Sequence, residues 1–295
     1  MLFRSLEASG LPEDRLIVQP SHSHSAPMID PDLADKPGGH LVAGHRKRLI
    51  ESLIRIVAEA RASMVPATLT WTGARCGLAY NRNLPSPTEN RSLCGLNPLI
   101  EADDTVVIGR AADAAGRVLF TLGNYACHPI SLGGGNTKVS PDYIGALRET
   151  VEKETGGAPC IFLHGASGDM APRRAYESDP AIADKNGREL GFAALSGLTS
   201  MLNPGMDLAF QGAEESATPL AIWRETPAKV NGAIGVRRLN VRLAVADMPT
   251  REELDRLIAS CTDRAMLERL NRAKLRRLAV GDDREMDVSF WVWQL

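Results

Sequence analysis

The sequence predicts an α/β fold, a mixed sheet flanked by helices, on three observations. Short apolar runs recur along the chain and end in polar or glycine-rich residues. Stretches with helical apolar spacing lie between them. Residues 116–165 read as one complete strand, helix, strand unit. The 295 residues are 44% hydrophobic and 24% charged with a formal net charge of −2, the profile of a globular protein with a large core and no basic surface for nucleic acid. The length is read as one main α/β domain over 1–295 whose C-terminal third is an extension.

In chain order, residues 2–9 suit a helix ended by Gly10, and 16–20 (LIVQP) a strand. Residues 45–63 space Leu49, Leu53, Ile56, Val57 and Ala60 as a helix does. Strands are expected over 68–73 and 105–110, and the Pro- and Asn-rich NRNLPSPTENRSLCGLNP between them is a loop over a surface or a site. GRVLFTL runs into NYACHPISLGG and CIFL into HGASGDMAPRR. The helix between these strands is opened by Ser140 and Pro141 and closed by Gly156 and Gly157. Further on, VRRLNVRLAV alternates like a half-buried strand and residues 250–281 form a capped, charged, amphipathic helical stretch. MDVSFWVWQL is a strand with no evident partner.

Five cysteines without a CxxC pair read as reduced, mostly buried thiols. No apolar run approaches the roughly 18 residues of a membrane span, and no signal peptide opens the chain, so the expected location is cytoplasmic, with a lost leader left open. The oligomeric state is not legible.

The chemistry concentrates in the histidines. His22 and His24 are separated by one serine, and in an extended segment such side chains share a face, an arrangement that can chelate a metal. His128 and His164, the latter with Asp169, follow apolar strands in the same way, and the carboxyl ends of strands in βαβ units are where ligands bind. Four of the six histidines thus sit at strand exits, more than solvation alone explains.

SHSHSAP, NYACHPISL, SPDYIGALRETVEKE and FLHGASGDMAPR, in that order, resemble the N-terminal catalytic domain of the neutral/alkaline (non-lysosomal) ceramidase family and its bacterial relatives. The resemblance implies the fold of that domain and a zinc-dependent amidohydrolase of sphingolipid metabolism, acting on a lipid or other small-molecule N-acyl amide. It assigns His22 and His128 as ligands of Zn2+ and His24 as a catalytic group facing the substrate or the developing oxyanion. A glutamate in a P-G-E segment and a tyrosine complete the family's shell. Neither is found here, since none of Tyr80, Tyr125, Tyr143 or Tyr176 has the expected context, and both ends of the chain read as clipped. His164, Asp142 and Asp169 remain as further candidates near the same strand ends. For His164 a backbone hydrogen bond is the slightly favoured alternative, and for Asp169 a turn-forming role is the favoured one.

The family's serine in G-(D/N)-x-S-P is Ala171 here, which removes a hydroxyl. Ser167 lies in G-A-S-G-D rather than the G-x-S-x-G of a nucleophile elbow. His40, His45, Arg173 and Arg174 read as surface groups or entrance charges. Three functions follow: a zinc amidohydrolase, a non-catalytic remnant of that family, and a serine esterase using Ser167. With two assigned zinc ligands, the expectation is a loosely held metal and weak or absent hydrolysis.

Overall fold

The computed structural model describes residues 10–12, 15–229, 232–245, 248–281 and 285–294. The helix expected over 2–9 lies outside the described residues. Two compact units are present, one of Met1–Leu11 with Ile17–Asn231 and one of Pro12–Leu16 with Gly232–Leu295.

The larger unit is built on a mixed four-stranded sheet of β1 (Thr68–Arg75), β5 (Thr105–Ala112), β6 (Val118–Tyr125) and β7 (Cys160–His164), in the order β1-β5-β6-β7. The first two junctions are antiparallel and β6 pairs β7 in parallel. Parallel neighbours need a crossover, supplied by α2 (Tyr143–Glu154), so the strand, helix, strand unit read from the sequence is present. Its consequence is directional. Both strands end at the same edge of the sheet, where Tyr125 is in register with His164.

The Asn-rich segment is not wholly a loop. It carries β2 (Ala79–Asn81) and a small hairpin of β3 (Asn83–Pro85) and β4 (Ser92–Cys94). β2 pairs with β8 (Met170–Pro172), which lays this segment along GDMAP. α1 spans Val42–Ala62, close to expectation. The strand expected over 16–20 is absent: these residues carry no regular structure, and Pro20 has no N–H to extend a ladder. A hairpin of β9 (Met206–Glu214) and β10 (Leu220–Pro227) follows the helical layer.

That layer pairs α2 with α3 (Pro180–Ser200), a helix not read from the sequence. α3 carries glycines where other elements press close: a Cβ on Gly187 would lie 2.1 Å from the Tyr143 carbonyl oxygen, and one on Gly197 2.6 Å from Ile108 Cδ1. Leu147 and Val151 of α2 and Leu190 and Ala194 of α3 share a core with Val106, Ile108 and Tyr125. Two tyrosines bury their rings there and satisfy their hydroxyls, Tyr125 donating to the Cys76 carbonyl at 2.7 Å and Tyr143 to that of Cys127 at 2.6 Å.

In the smaller unit β11 (Gly235–Ala244) and β12 (Glu285–Gln294) pair antiparallel, so the C-terminal aromatic strand does have a partner. The helical stretch divides into α4 (Arg251–Ser260) and α5 (Arg264–Val280). Thr250 and Glu253 form a capping box on the first, and Asp263 accepts from the Met266 amide to start the second.

α2 is opened by Asp142 rather than by Ser140 and Pro141. The Asp142 carboxylate accepts hydrogen bonds from the amides of Ser131 (3.2 Å), Leu132 (3.0 Å) and Tyr143 (2.7 Å) and is 2% exposed. It fastens the chain after β6 to the start of the crossover helix. Asp142→Ala is expected to lower unfolding free energy in urea by about 2–4 kcal/mol, because three buried donors lose a charged acceptor. Asp142→Asn, keeping one acceptor oxygen, should lose less.

Candidate metal centre

Four loops deliver the site. His128 stands three residues beyond β6, and its buried ring is fixed at one nitrogen: Nδ1 lies 3.1 Å from the Ser167 carbonyl oxygen. A carbonyl can only accept, so Nδ1 carries the proton and Nε2 of the neutral ring presents a lone pair. Burial is the main cause that brings the His128 pKa down to about 4; the Ser167 bond opposes it, while Arg82, His22 and His24 add to it. The ring is therefore neutral at pH 7.

His22 Nε2 and His24 Nε2 each lie 3.1 Å from His128 Nε2. One nitrogen from each of the three residues lies within 4.8 Å of the other two, with His22 and His24 exposed on the open side. Convergence of the HxH pair does not come from strand alternation. His22 takes φ +66°, in the left-handed region, and a turn follows at His24 and Ser25. The turn is held against the loop before α2: Ser23 Oγ donates to the Ser140 carbonyl at 2.9 Å, the Ser140 amide donates to the Ser25 carbonyl at 3.0 Å, and Asn136 Nδ2 donates to Ser25 Oγ at 3.2 Å. Upstream, Gln19 Nε2 donates to the His164 carbonyl at 3.1 Å and brings the segment to the end of β7.

The third convergent nitrogen thus belongs to His24, to which the resemblance gave a substrate contact, and not to His164. The His164 ring stacks on His22 at 5.3 Å between centroids, but its Nε2 lies 2.6 Å from Ser167 Oγ and its Nδ1 is buried without a partner among the described residues. Burial, with His22 adding to it, brings its pKa down to about 4. Asp142 is committed to the three amides of the helix start. Asp169 is held by β2, its carboxylate accepting from Asn81 Nδ2 at 3.3 Å and its carbonyl from the Arg82 amide at 2.8 Å. Neither carboxylate joins the convergent set. His40 and His45 stand outside it too, while Arg173 and Arg174 are paired with Glu189 and Glu177. Ser167, although outside a nucleophile elbow, has a histidine within hydrogen-bond reach, His164.

Arg82 was missed in the sequence. Its Nε and Nη2 donate to the Gly168 carbonyl at 3.1 and 2.8 Å, pinning the loop that carries Ser167. The available signal was its place in the Asn-rich segment expected over a site.

Three imidazole nitrogens suit a borderline-soft divalent ion. In a tetrahedral zinc site with Zn–N of about 2.0–2.1 Å the nitrogens stand roughly 3.3 Å apart, near the two separations of 3.1 Å found here. The fixed Nδ1–H of His128 is also the outer bond that metal-binding histidines characteristically make. The donor set fits zinc.

No protein-family model and no curated protein matches the sequence. Among solved structures, a ceramidase complexed with C2 aligns with 75% of this chain at a TM-score of 0.51 and 16% identity. The chain has a ceramidase-like fold. The neutral ceramidase of Pseudomonas aeruginosa aligns with 66% of the chain at 17% identity and a TM-score of 0.47. The chain spans 32% and 29% of those two proteins. No described helix is long and apolar enough to cross a membrane.

Zinc at a hundred times its dissociation constant should stabilise the fold by about 2.7 kcal/mol. That corresponds to a rise in melting temperature of roughly 5–10 °C. His22→Ala, His24→Ala and His128→Ala should each remove the rise, as measured by calorimetry with and without the ion.

Proposed function

We propose that the chain is a zinc-dependent amidohydrolase of the neutral ceramidase type, acting on a lipid N-acyl amide such as ceramide or a related compound. The observation that carries the reading is that His22 Nε2 and His24 Nε2 each lie 3.1 Å from His128 Nε2, one nitrogen of each of the three residues standing within 4.8 Å of the other two. The ceramidase-like fold supports it, and the likeness to a ceramidase complexed with C2 suggests the substrate class.

In this reading the three histidines hold the zinc, and His24 acts as a donor in place of the substrate contact. Bound there, zinc supplies a Lewis acid that polarises the amide carbonyl and lowers the pKa of its water toward about 7. His128 is held as a neutral ligand by its bond to Ser167, and the exposed side formed by His22 and His24 is the approach for the substrate. Ala171 contributes no hydroxyl, so the part of the serine that the resemblance places there is not carried over to this chain. Three nitrogen donors and an open position are what a catalytic zinc requires, so the metal deficit expected from two histidines is smaller than the sequence implies.

A serine hydrolase using Ser167 has one observation in its favour, the 2.6 Å contact with His164 Nε2. Against it, Ser167 is 6% exposed, and among the described residues no partner orients His164 through Nδ1, the role a triad assigns to a carboxylate.

The test is hydrolysis of N-acylsphingosines of several chain lengths. Turnover should disappear with a chelator, return with Zn2+, fail in His128→Ala, and survive Ser167→Ala at saturating zinc. Turnover that resists chelation but is lost in Ser167→Ala would favour the serine reading. Zinc binding without turnover on any substrate would mark a non-catalytic member of the fold.

A further inference from the structure

We propose that His164 is a positioning residue which, by engaging the Ser167 hydroxyl, keeps His128 in the tautomer that can bind metal. The inference rests on the zinc reading above. It starts from the fact that Ser167 offers His128 two oxygens. Its carbonyl lies 3.1 Å from His128 Nδ1 and its Oγ 3.5 Å from the same atom. The two have different consequences. A carbonyl can only accept, so bonding to it leaves the proton on Nδ1 and the lone pair on Nε2. A hydroxyl can also donate. An Nδ1 that accepts from Oγ–H leaves the ring proton on Nε2, and a protonated nitrogen cannot be a ligand.

His164 decides between these arrangements. With the His164 ring proton on Nδ1, its Nε2, at 2.6 Å much the closer of the two nitrogens to Ser167 Oγ, accepts the hydroxyl proton, and the carbonyl is left to His128. The rest of the loop makes this choice matter. The Ser167 carbonyl also accepts from the Met170 amide at 3.1 Å, closing a tight turn, and Arg82 holds the next carbonyl, that of Gly168. The backbone is thereby fixed on one side of Ser167, and the side chain is the remaining freedom. His164 is well placed to remove that freedom: it is the last residue of β7, in register with Tyr125, and its own carbonyl takes the Gln19 amide. Both Ser167 and His128 are buried, so solvent offers the hydroxyl little alternative.

A purely packing role accounts poorly for this side chain. His164 Nδ1 is buried without a partner among the described residues, and an unsatisfied buried polar atom costs about 1–3 kcal/mol. An apolar residue would avoid that cost. What it would not supply is a polar group at Ser167 Oγ.

The test is zinc affinity by chelator competition on the full chain, for wild type, His164→Ala, Ser167→Ala, the double variant and His164→Gln. Loss of the hydroxyl's partner should weaken zinc binding about 10-fold, the low end for outer-shell changes around a metal. His164→Gln, whose amide can reach Ser167 Oγ, should restore most of the affinity. Ser167→Ala removes the competing hydroxyl itself. It should therefore bind zinc close to wild type, and in the double variant it should rescue His164→Ala. A merely structural histidine would not give that rescue. Nitrogen-15 chemical shifts of the His128 ring in the metal-free protein supply a second readout: His164→Ala should show a fraction protonated at Nε2 that wild type lacks. The inference is overturned by His164→Ala binding zinc within twofold of wild type, or by a loss that Ser167→Ala fails to rescue. Should His164→Ala not fold, His164→Leu with and without Ser167→Ala makes the same comparison. Wild type that binds no zinc refutes the zinc reading itself. Zinc binding that needs His128 but ignores His164 refutes this inference alone.

Discussion

The parallel pairing of β6 with β7 is the constraint on which the site depends. Antiparallel neighbours would send their exits to opposite edges of the sheet. The crossover through α2 instead brings the His128 loop and the His164 loop out side by side, close enough for one carbonyl to fix an imidazole of the other. Holding that crossover together are the Asp142 carboxylate at the helix start and the Tyr143 hydroxyl on the Cys127 carbonyl, one residue before His128. The packing of α2 on the sheet and the direction of the His128 ring are thus parts of one structure.

Much of this was legible, because the signals were local. Apolar runs ending in polar residues marked β6 and β7, and the helical period between them marked α2. The absence of an α3 expectation has a physical cause. Gly187, Gly191 and Gly197 lower its helical propensity, yet they are there because Tyr143, Thr150 and Ile108 stand within reach of any Cβ, a fact of tertiary packing. The division of α4 from α5 turned on Asp263, whose capping bond could be read equally well as a polar residue within one long helix.

The site was legible in its members more than in its geometry. His22 and His24 do converge with His128, but through a left-handed residue and a turn, where strand alternation was the expected cause. Asp142 looked like a candidate ligand because the sequence does not reveal that amides ten and eleven residues upstream return to its carboxylate. Ser167 and His164 are three residues apart with no helical or strand pattern to say whether they touch. Their contact is a property of the folded turn. Ala171 shows the opposite case, since the loss of a hydroxyl is readable without any structure.

The sequence separation of the converging nitrogens has a consequence of its own. His22 and His128 stand 106 positions apart, so an ion held between them is a removable cross-link that closes a large loop of the chain. Because such an ion leaves when the chain unfolds, it stabilises the fold by mass action with the free metal and not by the loop entropy that a permanent disulfide removes. Unlike a disulfide, this tie answers to metal supply rather than to redox conditions. The segment around the HxH turn, otherwise fastened by a handful of side-chain bonds from Gln19, Ser23 and Asn136, would then be anchored or released according to how much metal the surroundings provide.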